Sequence, residues 1–521
     1  MKKGKAILII VIVGFIVYLK SFFNGFAWDD GPYILQNEFH QSIKYFFLFF
    51  SQPCGILAGK WCYPMFYRPI RDVYVALIFS LFGPNPFFFH FFQFIIHIIN
   101  SVLVYFIFNK FFDKQKYLPL FLSLIFVVHP INTETVVWIS AAQEILVGLC
   151  GLSALFLILK PVNISNKNIL IASFLIFISL FIKETGVVFF AIIFVYLFLF
   201  NKKIMLVFNT FYSTILIFLY MLARILSNSS FNVIMPTIPI AQLTLIQRLF
   251  TLQKIFFFYM SNFIFPKDLA IDQLWVVKTP DFNNFVVPLI FLIAFVSVSL
   301  IISIKTKNKV FIFFFLLIFI SMAPYFNIVP TSMTVAERWF YIPIIGLLGM
   351  IGFLINKINV KRESVFNTIF IVIILLFGIR AFIRTLDWKD NFKLFTTDVK
   401  ISKDSSALES NVGLVLMNKG DLEGGYKHII RSLELSPHKP NSLTNLGDYY
   451  EKKGNLKKAE DVYLGILKRN PEFYPVYPRY ASILIKLDRK KEAKKFLENK
   501  ALKYFFNDPV LLDLYKNLIN I

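Results

Sequence analysis

The chain has 521 residues, of which 57% are hydrophobic and 16% are charged, and its mean hydropathy is +0.66. Soluble domains are closer to half apolar and lack long runs almost free of charge, so this composition excludes an ordinary soluble protein. The formal net charge of +23 would suggest a nucleic-acid partner in a soluble chain. Here Lys and Arg cluster in short loops between apolar runs, without a zinc spacing or a nucleic-acid module. We therefore expect no nucleic-acid partner.

Repeated apolar runs predict an all-α, polytopic membrane domain, because about 20 apolar residues cross the hydrocarbon core as a helix. The longest runs approach this length, and several shorter ones flank polar turns. We predict about eleven spans, at residues 6–18, 88–108, 117–128, 136–159, 169–182, 186–200, 204–222, 286–304, 310–323, 339–355 and 365–379.

The basic loops predict the orientation of these spans, since cytoplasmic loops are rich in Lys and Arg. The short basic loops all lie on one side only if residues 243–265 do not cross the membrane as a single span, so we predict an interfacial or re-entrant helix there. The N-terminus is then cytoplasmic, the first span is uncleaved, and the C-terminal region is external or periplasmic. We expect a bacterial or archaeal plasma membrane protein. The basic loops are at 109–116, 160–167, 201–203, 305–309 and 356–362.

From about residue 404 the composition changes to that of a soluble helical region with a 34-residue period. Small residues recur where two helices must pack closely, and Pro recurs where the second helix must end. This spacing predicts a tetratricopeptide-repeat α-solenoid of about three repeats within a domain at 391–521. Such arrays bind peptides or proteins on a concave surface; capping of the membrane domain is the alternative. The recurring pairs are Asn411/Asn445, Gly413/Gly447, Gly420/Gly454, Pro437/Pro471 and Ala459/Ala493.

Two adjacent carboxylates, Asp29 and Asp30, open the first large loop of the membrane domain (residues 1–390). This loop, at 21–87, is predicted to be external. The plain interpretation is a solvated loop start with an Asp-Gly-Pro turn. The functional interpretation is a pair of catalytic acids. Cys54 and Cys62 lie in the same loop and could form a disulfide in an oxidising compartment.

Other polar clusters fall on the same predicted side of the membrane. The runs beside Lys183 and Glu184 are too short to reach across a ~30 Å hydrocarbon core, so the polar turns between them must face protein or water. Ionisable groups at that depth are candidates for function. The cluster residues are Arg68, His129, Glu134, Glu144, Lys183, Glu184, Glu337 and Arg338.

Structural roles compete with functional ones at several of these positions. His129 could be a capping or hydrogen-bonded structural residue, and Lys183 with Glu184 could be a neutralised pair. Arg338 could be an interfacial anchor or a phosphate ligand, since Arg suits planar phosphate contacts. Carboxylates and cations around an external cavity suit transfer from a lipid-linked phosphate. A transporter or flippase of a lipid-linked or anionic substrate could use the same groups, and a non-enzymatic scaffold is a third alternative.

An ordered set of motifs favours the enzyme interpretation. The motifs are Trp28-Asp29-Asp30, Tyr67-Arg68-Pro69, His129-Pro130 with Thr133-Glu134, Lys183-Glu184 with Gly186, Ala336-Glu337-Arg338 with Tyr341 and Pro343, and Asp387-Trp388-Lys389-Asp390. The set resembles the transmembrane and tetratricopeptide-repeat O-mannosyltransferase family and its prokaryotic relatives, within the GT-C glycosyltransferase superfamily.

The resemblance implies a polyprenyl-phosphate-linked sugar donor, inversion at the sugar carbon and a general base in the first external loop. That role falls on Asp29 or Asp30, and by similarity we favour Asp29. Arg338 is the leading ligand of the donor phosphate, with Arg68 and Lys183 as further candidates. His129, Glu134, Glu144, Glu184 and Glu337 would support the cavity.

The resemblance also implies a hexose such as mannose and an acceptor hydroxyl, on protein Ser or Thr or on a glycan. The repeats could hold the acceptor. No metal ligand set is predicted, although an Asp-Asp pair beside a phosphate could bind a divalent ion. Three departures from the family pattern weaken transfer of donor or acceptor identity. Asn132 stands where relatives often have a second His, Ala142-Gln143-Glu144 replaces an Arg-Ala-Asp/Glu pattern, and Arg71-Asp72 replaces small polar residues.

Overall fold

The computed structural model describes residues 2–52, 66–112, 114–159, 164–229, 238–357, 363–505 and 508–519. These residues form helices and connecting turns and contain no β-strand. They divide into two compact units, one of residues 1–271 and 275–391 and the other of 272–274 and 392–521. The prediction of an all-α chain with a membrane part and a repeat part is confirmed. The assignment of residues 1–390 as a membrane domain of the GT-C type stays a prediction.

The first unit contains every predicted apolar run, and each run is largely helical, although some cross a break between two helical segments. Its α-helices are Lys3–Tyr18, Phe46–Ser51, Pro69–Phe82, Pro86–Phe111, Leu118–Val128, Thr133–Val137, Ala142–Leu159, Asn166–Ile182, Val188–Leu199, Lys203–Leu226, Leu245–Ile264, Val287–Thr306, Lys309–Met322, Pro343–Lys357 and Glu363–Asp387. Short 3-10 turns at Pro130–Asn132, Ile139–Ala141, Glu184–Val187 and Glu337–Phe340 interrupt this bundle.

Helix length divides the predicted spans into a long group and a short group. Within the described residues, six helical segments are long and apolar enough to cross a membrane, and a pair bent by 49° raises the number to seven. Four shorter apolar helices correspond to the remaining predicted spans. The number of about eleven therefore depends on helices of fewer than 18 residues, and it stays a prediction together with the orientation. The short helices are Asn166–Ile182, Glu184–Leu199, Lys309–Tyr325 and Pro343–Lys357.

The region predicted as a large loop at 21–87 is partly helical in its described residues, 21–52 and 66–87. It contains the helix Pro69–Phe82 and a helical turn at Gly31–Leu35 directly after the two Asp residues. Cys54 and Cys62 lie outside the described residues, so their pairing stays a prediction. Residues 243–265 form the helix Leu245–Ile264, which is not among the six long apolar segments.

The second unit is built of helix pairs, as the 34-residue period predicts. Within each pair the recurring Gly lies where the partner helix crosses: a Cβ at Gly413 would lie 2.6 Å from Ile429 Cγ1, and one at Gly447 would overlap the Tyr463 ring. Gly420 and Gly454 have positive φ at the turns between paired helices, where L-residues are disfavoured. The pairs are Ser406–Asn418 with Leu422–Leu435, Pro440–Lys452 with Leu456–Arg469, and Val476–Lys486 with Lys490–Phe496, followed by Leu502–Tyr504 and Pro509–Ile519.

Gly447→Ala should destabilise the repeat unit by about 1–3 kcal/mol, because the added methyl overpacks the helix crossing at the buried Tyr463. Gly465→Ala is the matched control, since open space surrounds a Cβ there and Ala is the better helix former by ~1 kcal/mol. Hydrogen exchange of residues 440–469 in the full chain should become faster in the first variant and slower in the second. Equal exchange in the two variants would contradict the close packing.

Candidate active site

The turn that carries Asp29 and Asp30 is fastened to the end of the helix Glu363–Asp387. Asn24 Nδ2 donates to Thr385 O at 3.0 Å, and Gly25 N donates to Lys389 O at 3.0 Å. These bonds begin immediately after the first apolar helix and continue along the following residues of the turn. The carboxylates are therefore held against a second, distant part of the chain.

The two carboxyl groups have opposite environments. Asp30 is buried: its Oδ1 accepts from Ser140 N at 2.9 Å and from Ser140 Oγ at 2.5 Å, and its Oδ2 accepts from Ala27 N at 3.0 Å. Burial raises the pKa of Asp30 to about 7, against the opposing effect of these hydrogen bonds. Asp29 is exposed, and its charge acts on both Asp30 and Arg338. Asp29 is thus the carboxylate of the pair that is accessible to solvent.

Arg338 is held rigidly beside this turn. Its Nη1 forms an ion pair with Glu134 Oε1, and its backbone N donates to Glu134 Oε2 at 3.1 Å. Its guanidinium lies 4.9 Å from the centre of the Trp138 ring, in the geometry of a cation–π contact. Arg338 and Glu134 are both buried. The side chain is therefore oriented from two sides, by a carboxylate and by an indole.

A small cavity extends from Arg338 into the bundle. Lys183 Nζ donates to Glu144 Oε1 at 2.5 Å and to Tyr325 OH at 3.3 Å at this wall. Its free volume is about 20 Å³, which is room for about one water molecule. Its lining combines charged and apolar groups: Glu144, Val147, Thr185, Val188, Phe189, Ser321, Tyr325, Arg338, Trp339, Tyr341, Ile342 and Pro343.

Arg68 lies in a neighbouring network rather than on this cavity wall. Its Nη2 and Nε donate to the two oxygens of Glu184 at 2.6 Å and 3.2 Å, and its Nη1 donates to Gln143 Oε1 at 3.0 Å. Arg71 donates to the same Gln143 oxygen and to Asp72 Oδ1. Gln143, Arg71 and Asp72 are departures from the family pattern, and the structure places all three in one hydrogen-bonded group.

His129 and Glu337, two of the predicted supporting residues, form hydrogen bonds or ion pairs that can serve the fold alone. His129 Nδ1 accepts from Ile131 N at 3.2 Å, so its Nε2 carries the proton that is donated to Phe263 O at 2.9 Å. This geometry favours the capping interpretation of His129. Glu337 Oε1 lies 3.4 Å from Arg384 Nη2, so Glu337 pairs with Arg384 while the adjacent Arg338 pairs with Glu134. Among the described residues, no group of three or more His, Cys, Asp or Glu side chains is arranged to hold a metal ion.

Comparison with known proteins identifies the relatives of this arrangement. The chain is 24% identical to protein O-mannosyl-transferase TMTC3 of Homo sapiens, over 93% of this chain and 58% of that protein. The same relative of Mus musculus is 24% identical over 93% of this chain and 57% of its own length. Protein O-mannosyl-transferase F38B6.6 of Caenorhabditis elegans is 24% identical over 83% of this chain and 63% of its length. The resemblance to the transmembrane and tetratricopeptide-repeat O-mannosyltransferases is confirmed.

The match to these three O-mannosyltransferases covers most of this chain but less than two thirds of each of theirs. This chain spans about 58% of the length of the human relative. The tetratricopeptide-repeat family model matches residues 440–473, which confirms the repeat predicted from the 34-residue spacing. Together with the apolar helices, these relatives indicate an integral membrane protein.

Sequence reasoning missed two residues that complete the site of this O-mannosyltransferase relative. Ser140 supplies two of the three hydrogen bonds to Asp30, and Trp138 contacts both the Trp28 ring and Arg338. Both follow Glu134 within a few residues, at the end of the helix Thr133–Val137. One short segment therefore contacts the Asp30 carboxylate, the ring of Trp28 before Asp29, and the Arg338 guanidinium. In the sequence, the signal that could have identified this segment was a Trp a few residues after a polar cluster in an apolar region.

Titration of Asp30 should make the stability of the chain depend on pH. Its folded pKa of about 7 lies above the unfolded value near ~4, so its contribution is complete below pH ~4 and is lost as the pH rises to about 7. The free energy of unfolding of the wild type, minus that of Asp30→Asn, should fall by about 2–3 kcal/mol between pH 5 and 8. Denaturant titrations in detergent at both pH values would measure it. A difference that rises with pH would mean that the hydrogen bonds outweigh burial.

Proposed function

We propose that this chain is a membrane glycosyltransferase that moves a sugar from a polyprenyl-phosphate donor to a protein Ser or Thr hydroxyl at the external face. The observation that carries the proposal is the exposed Asp29, whose charge acts on the buried Arg338, a residue that lines a small cavity. The relatives' names state O-mannosyl transfer, and we propose mannose as the sugar here.

Asp29 is suited to act as the general base. Its carboxylate would accept the proton of the acceptor hydroxyl while that oxygen attacks the anomeric carbon of the donor. The bond from that carbon to the phosphate oxygen then breaks, and its electron pair leaves with the polyprenyl phosphate. A new glycosidic bond forms with inversion, and one proton is transferred to Asp29. Asp30, with both oxygens already bonded to the protein, holds the turn instead.

Arg338 is suited to stabilise the leaving phosphate. A guanidinium has five N–H donors, and in the described structure the contacts to Glu134 and Met333 use only the two terminal nitrogens. Because the group is buried and already oriented, it needs no reorganisation when negative charge develops on the phosphate. Lys183 and Arg68 contribute positive charge behind it, and both are compensated by Glu144 and Glu184. We propose that they tune the site rather than contact the phosphate first.

The remaining parts of the proposal concern topology and the acceptor. The lipid-linked donor, the external face and the role of the repeats in holding the acceptor follow from the family resemblance and the positive-inside rule.

Reconstitution of the full chain in liposomes tests the function directly. Polyprenyl-phosphate mannose with an isotope label and a mixture of Ser/Thr peptides would be added, and mass spectrometry would detect labelled hexose on peptide. A nucleotide-linked mannose added instead is the matched control and should give no product. Absence of labelled peptide, with movement of the intact lipid-linked donor between leaflets, would favour the flippase alternative.

A further inference from the structure

Trp28 has a backbone conformation that is unusual for its residue type. Its φ is +55°, in the left-handed region. Seven non-glycine residues in the described structure have positive φ; five of them are Asn or Asp, which tolerate it best, and Lys307 ends a helix. Trp28 is the one aromatic residue in this group, so surrounding contacts must enforce the conformation. The other members are Asn201, Asn228, Asp272, Asn327 and Asp488.

Two independent contacts enforce it. The Trp28 ring stacks on the Trp138 ring with centroids 4.5 Å apart, and Trp138 in turn stacks on the buried Trp388 at 6.2 Å. The backbone N of Trp28 donates to Asn391 Oδ1 at 2.7 Å. The peptide that leads into Asp29 is therefore fixed both through its side chain and through its backbone.

The left-handed residue also explains how two adjacent carboxylates point to different environments. The turn from Ala27 to Asp30 is closed by Asp30 N donating to Ala27 O at 3.1 Å and by Ala27 N donating back to Asp30 Oδ2. With Trp28 in this conformation, Asp30 reaches Ser140 in the interior while Asp29 stays exposed. A right-handed or extended residue at position 28 would not keep this arrangement.

We propose that Trp28 is a positioning residue that sets the distance between Asp29 and Arg338 by means of Trp138. The Trp138 ring is the shared platform: it contacts the Trp28 ring on one side and lies 4.9 Å from the Arg338 guanidinium. The residue before the proposed base Asp29 and the proposed phosphate ligand Arg338 thus both contact the same indole. This inference rests on the proposed function and adds to it how the two groups keep their separation.

The indole could instead contact the sugar directly, and the two roles predict different kinetics. A positioning role lowers kcat, because misplacement of a catalytic group by ~1 Å costs about 100-fold. A binding role raises KM for the donor with little change in kcat.

Three substitutions of Trp28 test the inference in the full reconstituted chain. Trp28→Ala removes the indole and keeps the backbone strain, Trp28→Gly removes both, and Trp28→Phe keeps a ring that can stack. We expect kcat to fall about 100-fold in the Ala and Gly variants with KM for the donor within about twofold of wild type, and the Phe variant to recover at least about tenfold over Ala. Trp275→Ala, which removes an indole that contacts Lys254 elsewhere, is the matched control and should keep wild-type kcat.

Hydrogen exchange separates failure of this inference from failure of the proposed function. Exchange of the Asp29 and Asp30 amides should become at least about tenfold faster in the Ala and Gly variants and stay near wild type in Trp275→Ala. If the wild type transfers no sugar, the proposed function fails. Faster exchange in the Trp28 variants would then still show that Trp28 holds the turn at Asp29 and Asp30. Unchanged exchange, unchanged kcat in Trp28→Ala, or a rise in KM alone would overturn the positioning role.

Discussion

Asp29→Asn should lower sugar transfer by about 10²- to 10⁴-fold, the usual contribution of a general base. The amide cannot accept the proton of the acceptor hydroxyl, while the exposed position lets it fit without a buried unsatisfied group. The measurement is initial rate of labelled peptide formation in liposomes, normalised to the amount of inserted protein. Donor binding should be little changed, because the phosphate contacts remain.

Two other acidic positions serve as comparisons for Asp29. Glu38 is an exposed acid of the same region, so Glu38→Gln removes one charge at equal exposure and should keep wild-type activity. Asp30→Asn should lower activity through the turn, because its new NH₂ group must face a backbone N–H of Ala27 or Ser140. Full activity in both Asp29→Asn and Asp30→Asn would eliminate the proposed mechanism.

The features that hydropathy and spacing encode could be predicted from the sequence. Apolar runs correspond to helices because burial in lipid or in the bundle requires them, and the 34-residue period gives paired helices because Gly413 and Gly447 admit close crossings. The region 21–87 was less predictable, since its helix Pro69–Phe82 is shorter and more polar than a span.

The pairing of charges could not be predicted, because tertiary packing decides it. Lys183 and Glu184 are neighbours in sequence but bind Glu144 and Arg68. The extended backbone at Lys183, with φ −160° and ψ 137°, sends successive side chains in opposite directions. Glu337 and Arg338 likewise contact Arg384 and Glu134. A motif of adjacent charges therefore did not predict which charges pair in the fold.

Breaking the buried ion pair between Arg338 and Glu134 should have the second large effect, a loss of both stability and sugar transfer. Arg338→Gln should destabilise the chain by about 3–5 kcal/mol, because it leaves the buried Glu134 carboxylate without its cation. Glu134→Gln should have a similar cost for the opposite reason. Both single variants should lose sugar transfer, so on their own they would not separate a structural role of the pair from a catalytic one.

The double variant Glu134→Gln with Arg338→Gln separates these roles. Two neutral amides can hydrogen-bond to each other, and replacing a buried ion pair by neutral groups is often close to neutral for stability. We expect unfolding in denaturant to return to within about 1–2 kcal/mol of wild type while sugar transfer stays at the level of Arg338→Gln. Recovery of transfer together with stability would show that Arg338 acts only in the fold, and would remove it as the phosphate ligand. Persistent loss in a stable protein is what a guanidinium that neutralises the leaving phosphate requires.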